Sequence, residues 1–180
     1  MNSSGCAAPN SKGGRVSQPI VVMGVSGSGK TTLGAALARR LGVPFADADD
    51  FHPPANIAKM AAGTPLDDAD RAPWLAAIAG WLADHADGGV VTCSALKRVF
   101  RDRLRAAAPA VFVHLAGDPD VVRARVAARP GHFMPVSLVA SQFAALEPLD
   151  ADEPGVVLDL DRPVEDLVTS CLAVAEGLPT

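Results

Sequence analysis

The sequence is poor in the residues that would remove it from a reducing, aqueous compartment. Its 180 residues include only three cysteines, Cys6, Cys93 and Cys171. An odd, scattered set forms no disulfide framework and no paired metal-ligand spacing, so the expected setting is the cytoplasm. The four histidines show no zinc spacing either. No apolar run approaches the ~20 residues of a membrane-spanning helix, so no membrane partner is expected. Positive charge is not in excess. Sixteen Lys and Arg against 20 Asp and Glu leave a net charge of −4, whereas a nucleic-acid partner calls for a basic face. Residues 1–18 lack the continuous apolar stretch of a secretory signal. Rich in Ser, Gly, Asn and Pro, they are expected to form a disordered tail outside the fold. Residues 19–180 contain no internal repeat and no second linker, and are expected to form one domain.

What the chain does have is an ordinary globular balance, with 49% hydrophobic and 20% charged residues. From Gln18 onward, short apolar runs alternate with helical patterns. Strands are expected at 20–23, 44–46, 90–93, 111–115 and 156–160. Several are continuously apolar, as suits strands covered on both faces. Helices are expected at 31–41, 54–62, 68–86, 95–107, 118–129, 136–146 and 164–176. Asp118-Pro119 is a helix-start signal, and Gly42 and Gly63 stand where helices should stop. The alternation implies βαβ units and a parallel sheet. In such sheets, ligands gather beyond the carboxyl ends of the strands.

The turn after the first strand reads Gly24-Val25-Ser26-Gly27-Ser28-Gly29-Lys30-Thr31. Its glycines let the backbone approach a phosphate chain and permit positive φ. Successive N–H groups then form an anion nest at the positive end of a helix. Lys30 supplies a charge for the β- and γ-phosphates, and the Thr31 hydroxyl can ligate Mg²⁺. The pattern points to binding of a nucleoside triphosphate.

The turns after the other strands carry the remaining polar chemistry. Asp47 and Asp49, two apart in an extended segment, can point the same way. One can hold Mg²⁺ while the other orients an acceptor hydroxyl. Alternatively, Asp49 or Asp50 caps the next helix. His52 is either a locally packed turn residue or a donor to a polyol. Asp67 or Asp68 suits a helix cap. Arg71 can fork onto a substrate carboxylate or pair with Asp67. Trp74, Leu75, Ile78, Trp81 and Leu82 have helical spacing and read as core, with no binding role for the tryptophans. Ser94, Lys97 and Arg101 follow the third strand. Arg125 and Arg129 precede the loop Pro130–Pro135 and suit a lid that closes on phosphates, while Arg123 is left between lid and solvated helix end. His114, inside an apolar strand, reads as a satisfied buried histidine.

Taken together, these segments resemble the gluconate kinases of the small P-loop type, relatives of shikimate and nucleoside monophosphate kinases. The resemblance runs from about Ile20 to Val168. Its carriers are MGVSGSGKTT (23–32), DADDFHPPANIAKMAAGTPLDDADRAPWL (47–75), CSALKRVFRDRLR (93–105), GHF (131–133) and SQFAALEP (141–148). The chain departs from the family pattern at Phe100, where a tyrosine is common, and at Pro130, where a basic residue often stands. The resemblance implies a P-loop NTPase-like three-layer α/β fold, with a central five-stranded parallel sheet, helices on both faces and a mobile lid. It also implies transfer of the ATP γ-phosphoryl group to the 6-hydroxyl of D-gluconate, and a homodimer. Residue by residue, it puts ATP on Gly24 to Thr31, Mg²⁺ near Thr31 and Asp47, and the acceptor hydroxyl against Asp49. His52, Arg71, Ser94, Lys97 and Arg101, with Gln142, would line the sugar-acid pocket. Lys30, Asp49, Arg125 and Arg129 would serve the transfer itself. The rival readings are a shikimate kinase or another small-metabolite P-loop kinase, and a non-catalytic nucleotide-binding regulator.

Overall fold

The computed structural model of the protein describes residues 17–128 and 137–177. Five short strands, β1 (Ile20–Met23), β2 (Phe45–Asp47), β3 (Val90–Thr92), β4 (Val111–Ala116) and β5 (Gly155–Asp159), form one parallel sheet in the order β2-β3-β1-β4-β5. Among the described residues seven α-helices accompany them: α1 (Lys30–Leu41), α2 (Pro54–Ala61), α3 (Asp68–Asp84), α4 (Arg98–Ala107), α5 (Pro119–Ala127), α6 (Ser137–Ala145) and α7 (Val164–Gly177). Among the described residues no helix is long and apolar enough to cross a membrane.

The unbroken apolar runs have a direct cause. Side chains alternate along a strand, and β1 is buried throughout, so each of its faces needs its own cover. Ile20 and Val22 pack into one core with Leu33 and Leu37 of α1 and Leu167 and Cys171 of α7. Val21 and Met23 pack into the other with Trp74, Leu75 and Ile78 of α3 and Phe100 and Leu104 of α4. The result is the expected three layers, with helices on both faces of the sheet. Because every strand runs the same way, all the carboxyl ends share one edge. β1 is flanked by β3 and β4, so the chain reverses its direction of winding beside it, the usual place for a ligand crevice.

The element boundaries differ from expectation where local geometry intervenes. β2 lies one residue later and ends on Asp47, which makes that carboxylate part of the sheet edge. A 3₁₀ turn, Ala48–Phe51, follows, and Asp47 caps it by accepting from the Asp49 N–H. Neither Asp49 nor Asp50 caps the next helix, because Pro53 holds the N-cap position of α2. α4 starts at Arg98 rather than near residue 95, since Ala95 adopts φ +43° and cannot join a right-handed helix. Gly42 closes α1 in the left-handed conformation, its N–H reaching the Ala38 carbonyl.

Candidate active site

The turn from β1 into α1 is shaped by close approach. Gly24 has φ +138°, and a Cβ there would lie 2.7 Å from the Leu115 carbonyl oxygen of the neighbouring strand. Gly27, at φ +83°, would put a Cβ 2.4 Å from the Val126 side chain of α5. The turn is therefore pressed between β4 and α5, leaving its N–H groups to curl at the start of α1. Lys30 Nζ donates to the Val25 carbonyl at 2.9 Å, which folds the lysine back over its own loop.

Thr31 and Asp47 meet across that turn. Thr31 Oγ1 donates to Asp47 Oδ2 at 2.7 Å, while Asp47 Oδ1 accepts from the Asp49 N–H at 3.1 Å. A hydroxyl and a carboxylate in contact are hard oxygen donors that suit Mg²⁺. Among the described residues no group of three or more His, Cys, Asp or Glu could hold a metal. Thr31 and Asp47 line a cavity with Gly27, Gly29, Lys30, Asp49 and Arg125. Arg125 does not stand free there: Nη2 donates to Asp161 at 2.7 Å and Nη1 to the Leu160 carbonyl at 3.3 Å. Arg123 pairs with Asp120 on the helix surface. Arg129 and the lid loop Pro130–Pro135 lie outside the described residues.

A second cavity adjoins the first. Its walls include Asp49, His52, Arg71, Ser94, Lys97 and Gln142, together with Lys30 and Ser26. Arg71 and Lys97 both approach the Phe100 ring, at 5.6 and 5.5 Å from its centroid. Each also reaches Asp68 Oδ1, at 3.5 and 3.3 Å respectively. Two cations thus stand over one ring, with the Asp68 carboxylate between them. Arg71 thus pairs with Asp68 and not with Asp67. Asp67 is taken up in the capping box of α3, where it accepts from the Asp70 N–H and Asp70 returns the bond.

His52 stacks on Trp74, ring centroids 4.5 Å apart and planes 5° from parallel. Trp74 is fixed in turn by its Nε1–H, which donates to the Ala48 carbonyl at 2.6 Å. Burial, and then the Arg71 charge, lower the His52 pKa to about 4. His52 Nδ1 lies 3.5 Å from Asn56 Nδ2. Gln142 reaches the phosphate loop itself, Oε1 accepting from the Ser26 N–H at 2.6 Å. The Ser94 carbonyl accepts from the Gly24 N–H at 3.3 Å, joining the turn after β3 to the same loop. Cys93, beside it, is no nucleophile: burial pushes its thiol up to about 12.

Two expectations are corrected. Arg101 does not line the cavity. It is fully buried, with its guanidinium on Glu153 and on four main-chain carbonyls, so no donor is left to turn toward a substrate. His114 is buried as expected but not satisfied, since among the described residues its Nδ1 has no hydrogen-bond partner. Burial first, and the Arg101 charge second, lower its pKa below the ordinary histidine value.

Comparison with known proteins separates the rival readings. The family described as "Shikimate kinase" matches residues 26–147. A gluconokinase of Gluconobacter oxydans is 52% identical over 139 residues, which span 75% of this chain and 78% of that protein. The thermosensitive gluconokinase of Escherichia coli is 44% identical over 159 residues, covering 86% and 85%. This chain belongs to the gluconokinase family. The crystal structure of a gluconokinase from Sinorhizobium meliloti superposes with a TM-score of 0.82 at 47% identity, covering 89% of this chain and 93% of that one. Family membership makes the chain a kinase with an alcohol acceptor, and sets aside the non-catalytic regulator.

Within this family site, several wall residues escaped the sequence reading. Trp74 is buried in the core, as its helical spacing predicts, and it also lines the second cavity. Met60, Leu66 and Leu96 close the same wall. Apolar residues at helical spacing give no sign of which ones border a cavity. Asp68 was visible only as a candidate cap, and its place between Arg71 and Lys97 depends on the packing of α3 against α4.

Proposed function

We propose that this chain transfers the γ-phosphoryl group of ATP to the 6-hydroxyl of D-gluconate. The observation that carries this reading is that the two cavities share Ser26, Lys30 and Asp49. A triphosphate on the glycine-rich loop would end where the second cavity begins, and a hydroxyl in that cavity would face its γ-phosphorus.

Thr31 and Asp47 would hold Mg²⁺, which when bound neutralises charge on the β- and γ-phosphates. Lys30 leaves the Val25 carbonyl for the phosphate oxygens. Asp49 orients the acceptor hydroxyl and takes its proton as the oxygen–phosphorus bond forms. The bond from γ-phosphorus to the bridging oxygen breaks, and ADP departs. At the far end, Arg71 and Lys97 bind the acceptor carboxylate above Phe100, displacing Asp68. His52 and Ser94 donate to, or accept from, the hydroxyl chain between. Arg125 faces the phosphate end. In this reading it acts with Arg129 and the Pro130–Pro135 loop as a lid.

A coupled assay with Mg-ATP and a panel of acceptors tests the proposal. Gluconate should turn over well, with glucose and shikimate near background. Glucose lacks the carboxylate, and shikimate fixes its hydroxyls on a ring that misaligns at Asp49. Faster turnover of shikimate than of gluconate would reassign the acceptor and leave the kinase intact.

A further inference from the structure

Behind the second cavity lies a polar cluster that the reaction does not touch. Arg101 and Glu153 both have side chains of 0% exposure. Arg101 Nε donates to Glu153 Oε1 and Nη2 to Oε2, each at 2.7 Å, a bidentate fork. The other donors go to main-chain carbonyls. Nη1 reaches Ala95 at 3.2 Å, Leu96 at 3.4 Å and Glu147 at 3.1 Å, and Nη2 reaches Pro148 at 3.0 Å. Two of these carbonyls belong to the turn that carries Ser94 and Lys97, and two to the segment leaving α6. That segment also binds the turn directly: the Glu147 N–H donates to the Leu96 carbonyl at 2.8 Å, and Glu147 Oε2 accepts from the Arg98 N–H at 2.5 Å.

The turn needs such a hold. Ala95, at φ +43°, is the one non-glycine residue with positive φ among the described residues. A left-handed alanine persists only where its surroundings over-determine it. Stability alone does not account for the ion pair, because apolar residues of similar volume serve a buried site as well or better. What an apolar pair cannot do is grip four carbonyls from two segments in one plane.

We propose that Arg101 and Glu153 are positioning residues for the phosphoryl transfer. The pair clamps the Ser94–Lys97 turn to the segment after α6, and thereby sets where Ser94 and Lys97 stand in the acceptor cavity. The inference rests on the reading of that cavity as the acceptor site. The glycine-rich loop is held separately, with Gly24 against the Leu115 carbonyl of β4 and Gly27 against Val126 of α5, so loss of the clamp acts on acceptor binding before nucleotide binding.

The test compares the wild type with Arg101→Lys, Glu153→Gln, the double variant Arg101→Met/Glu153→Leu, and the exposed control Arg103→Ala on the same helix. The double variant removes both charges at similar volume, so it avoids the uncompensated buried charge that a single change leaves. In the double variant, KM for gluconate should rise about tenfold to a hundredfold, as a displaced binding group allows, with KM for ATP within about twofold. Hydrogen exchange should quicken at amides 94–98 and stay unchanged at 26–31. Arg101→Lys keeps the charge but loses the fork, and should fall between the double variant and the wild type. A folded double variant with wild-type gluconate KM and wild-type exchange at 94–98 would overturn the clamp. So would a parallel rise in both KM values with faster exchange throughout. If the wild type itself fails on gluconate, the acceptor reading fails instead, and the exchange data, which need no substrate, still decide the clamp.

Discussion

At the scale of single residues, charge placement separates the two ends of the acceptor cavity. Arg71 is held over Phe100 and beside Asp68, at the end away from the phosphate loop. Arg71→Ala should therefore raise KM for gluconate and leave KM for ATP almost alone. A hydrogen bond to a charged group is worth about 1.5–3 kcal/mol, or roughly tenfold to a hundredfold in KM. Equal losses for both substrates would remove Arg71 from the carboxylate site. His52 makes a prediction of its own. Its pKa falls from the ordinary 6.5 to about 4 through burial and the Arg71 charge. Between those values the unfolded chain takes up a proton that the folded chain refuses, so folding stability drops as pH falls through that window and levels off below it. In His52→Gln this component is absent. Denaturation midpoints of the two proteins across the window should shift in favour of the variant as pH falls. A difference that does not change with pH would mean that His52 titrates normally in the folded state.

At the scale of elements, the helix starts decide where side chains emerge. α3 begins in a reciprocal cap, with Asp67 Oδ1 accepting from the Asp70 N–H at 2.8 Å and Asp70 Oδ2 from the Asp67 N–H at 3.0 Å. Lys59 donates to the same Asp70 carboxylate at 2.6 Å, which ties α2 to α3 and holds that carboxyl below the usual range. Asp67→Ala removes one half of the cap and should cost about 1 kcal/mol. For a domain of this size, that is a drop in Tm of about 2–4 °C, read by calorimetry, with kcat kept. This cap was legible in the sequence, since an acid two or three residues after a Gly-Thr-Pro turn announces a helix. The start of α4 was not. An Ala-Leu-Lys-Arg run favours helix from Ala95 onward, but hydrogen bonds from Arg101 hold that alanine left-handed.

At the scale of the whole molecule, the parallel sheet brings the two cavities together at one edge. A non-hydrolysable ATP analogue with Mg²⁺, at about a hundred times its Kd, should stabilise the fold by about 2.7 kcal/mol and raise Tm by roughly 5–10 °C. Removing Mg²⁺ with EDTA should take away much of that shift. Lys30→Ala should melt like the wild type without ligand, since Lys30 is only half-buried and folds back onto the Val25 carbonyl of its own loop. With the analogue it should gain far less. An unchanged gain in Lys30→Ala would take the triphosphate off this loop.

By itself, the sequence determined the layers and the phosphate-binding turn. Both follow from nearest-neighbour facts: unbroken apolar runs demand cover on both faces, and glycines at 24, 27 and 29 accept the positive φ that the turn requires. The nearness in sequence of Asp47, Asp49 and His52 likewise put them at one sheet edge. Only the tertiary structure decided the fate of groups whose partners are far along the chain. Arg101 reads like Lys97, a cation just after β3, yet Glu153 lies 52 residues away and draws it into the interior. Asp68 likewise waited on Lys97, 29 residues distant, to become the carboxylate between two cations. A charged side chain goes to whichever partner best repays its desolvation, and that partner is set by packing between elements, which no local pattern encodes.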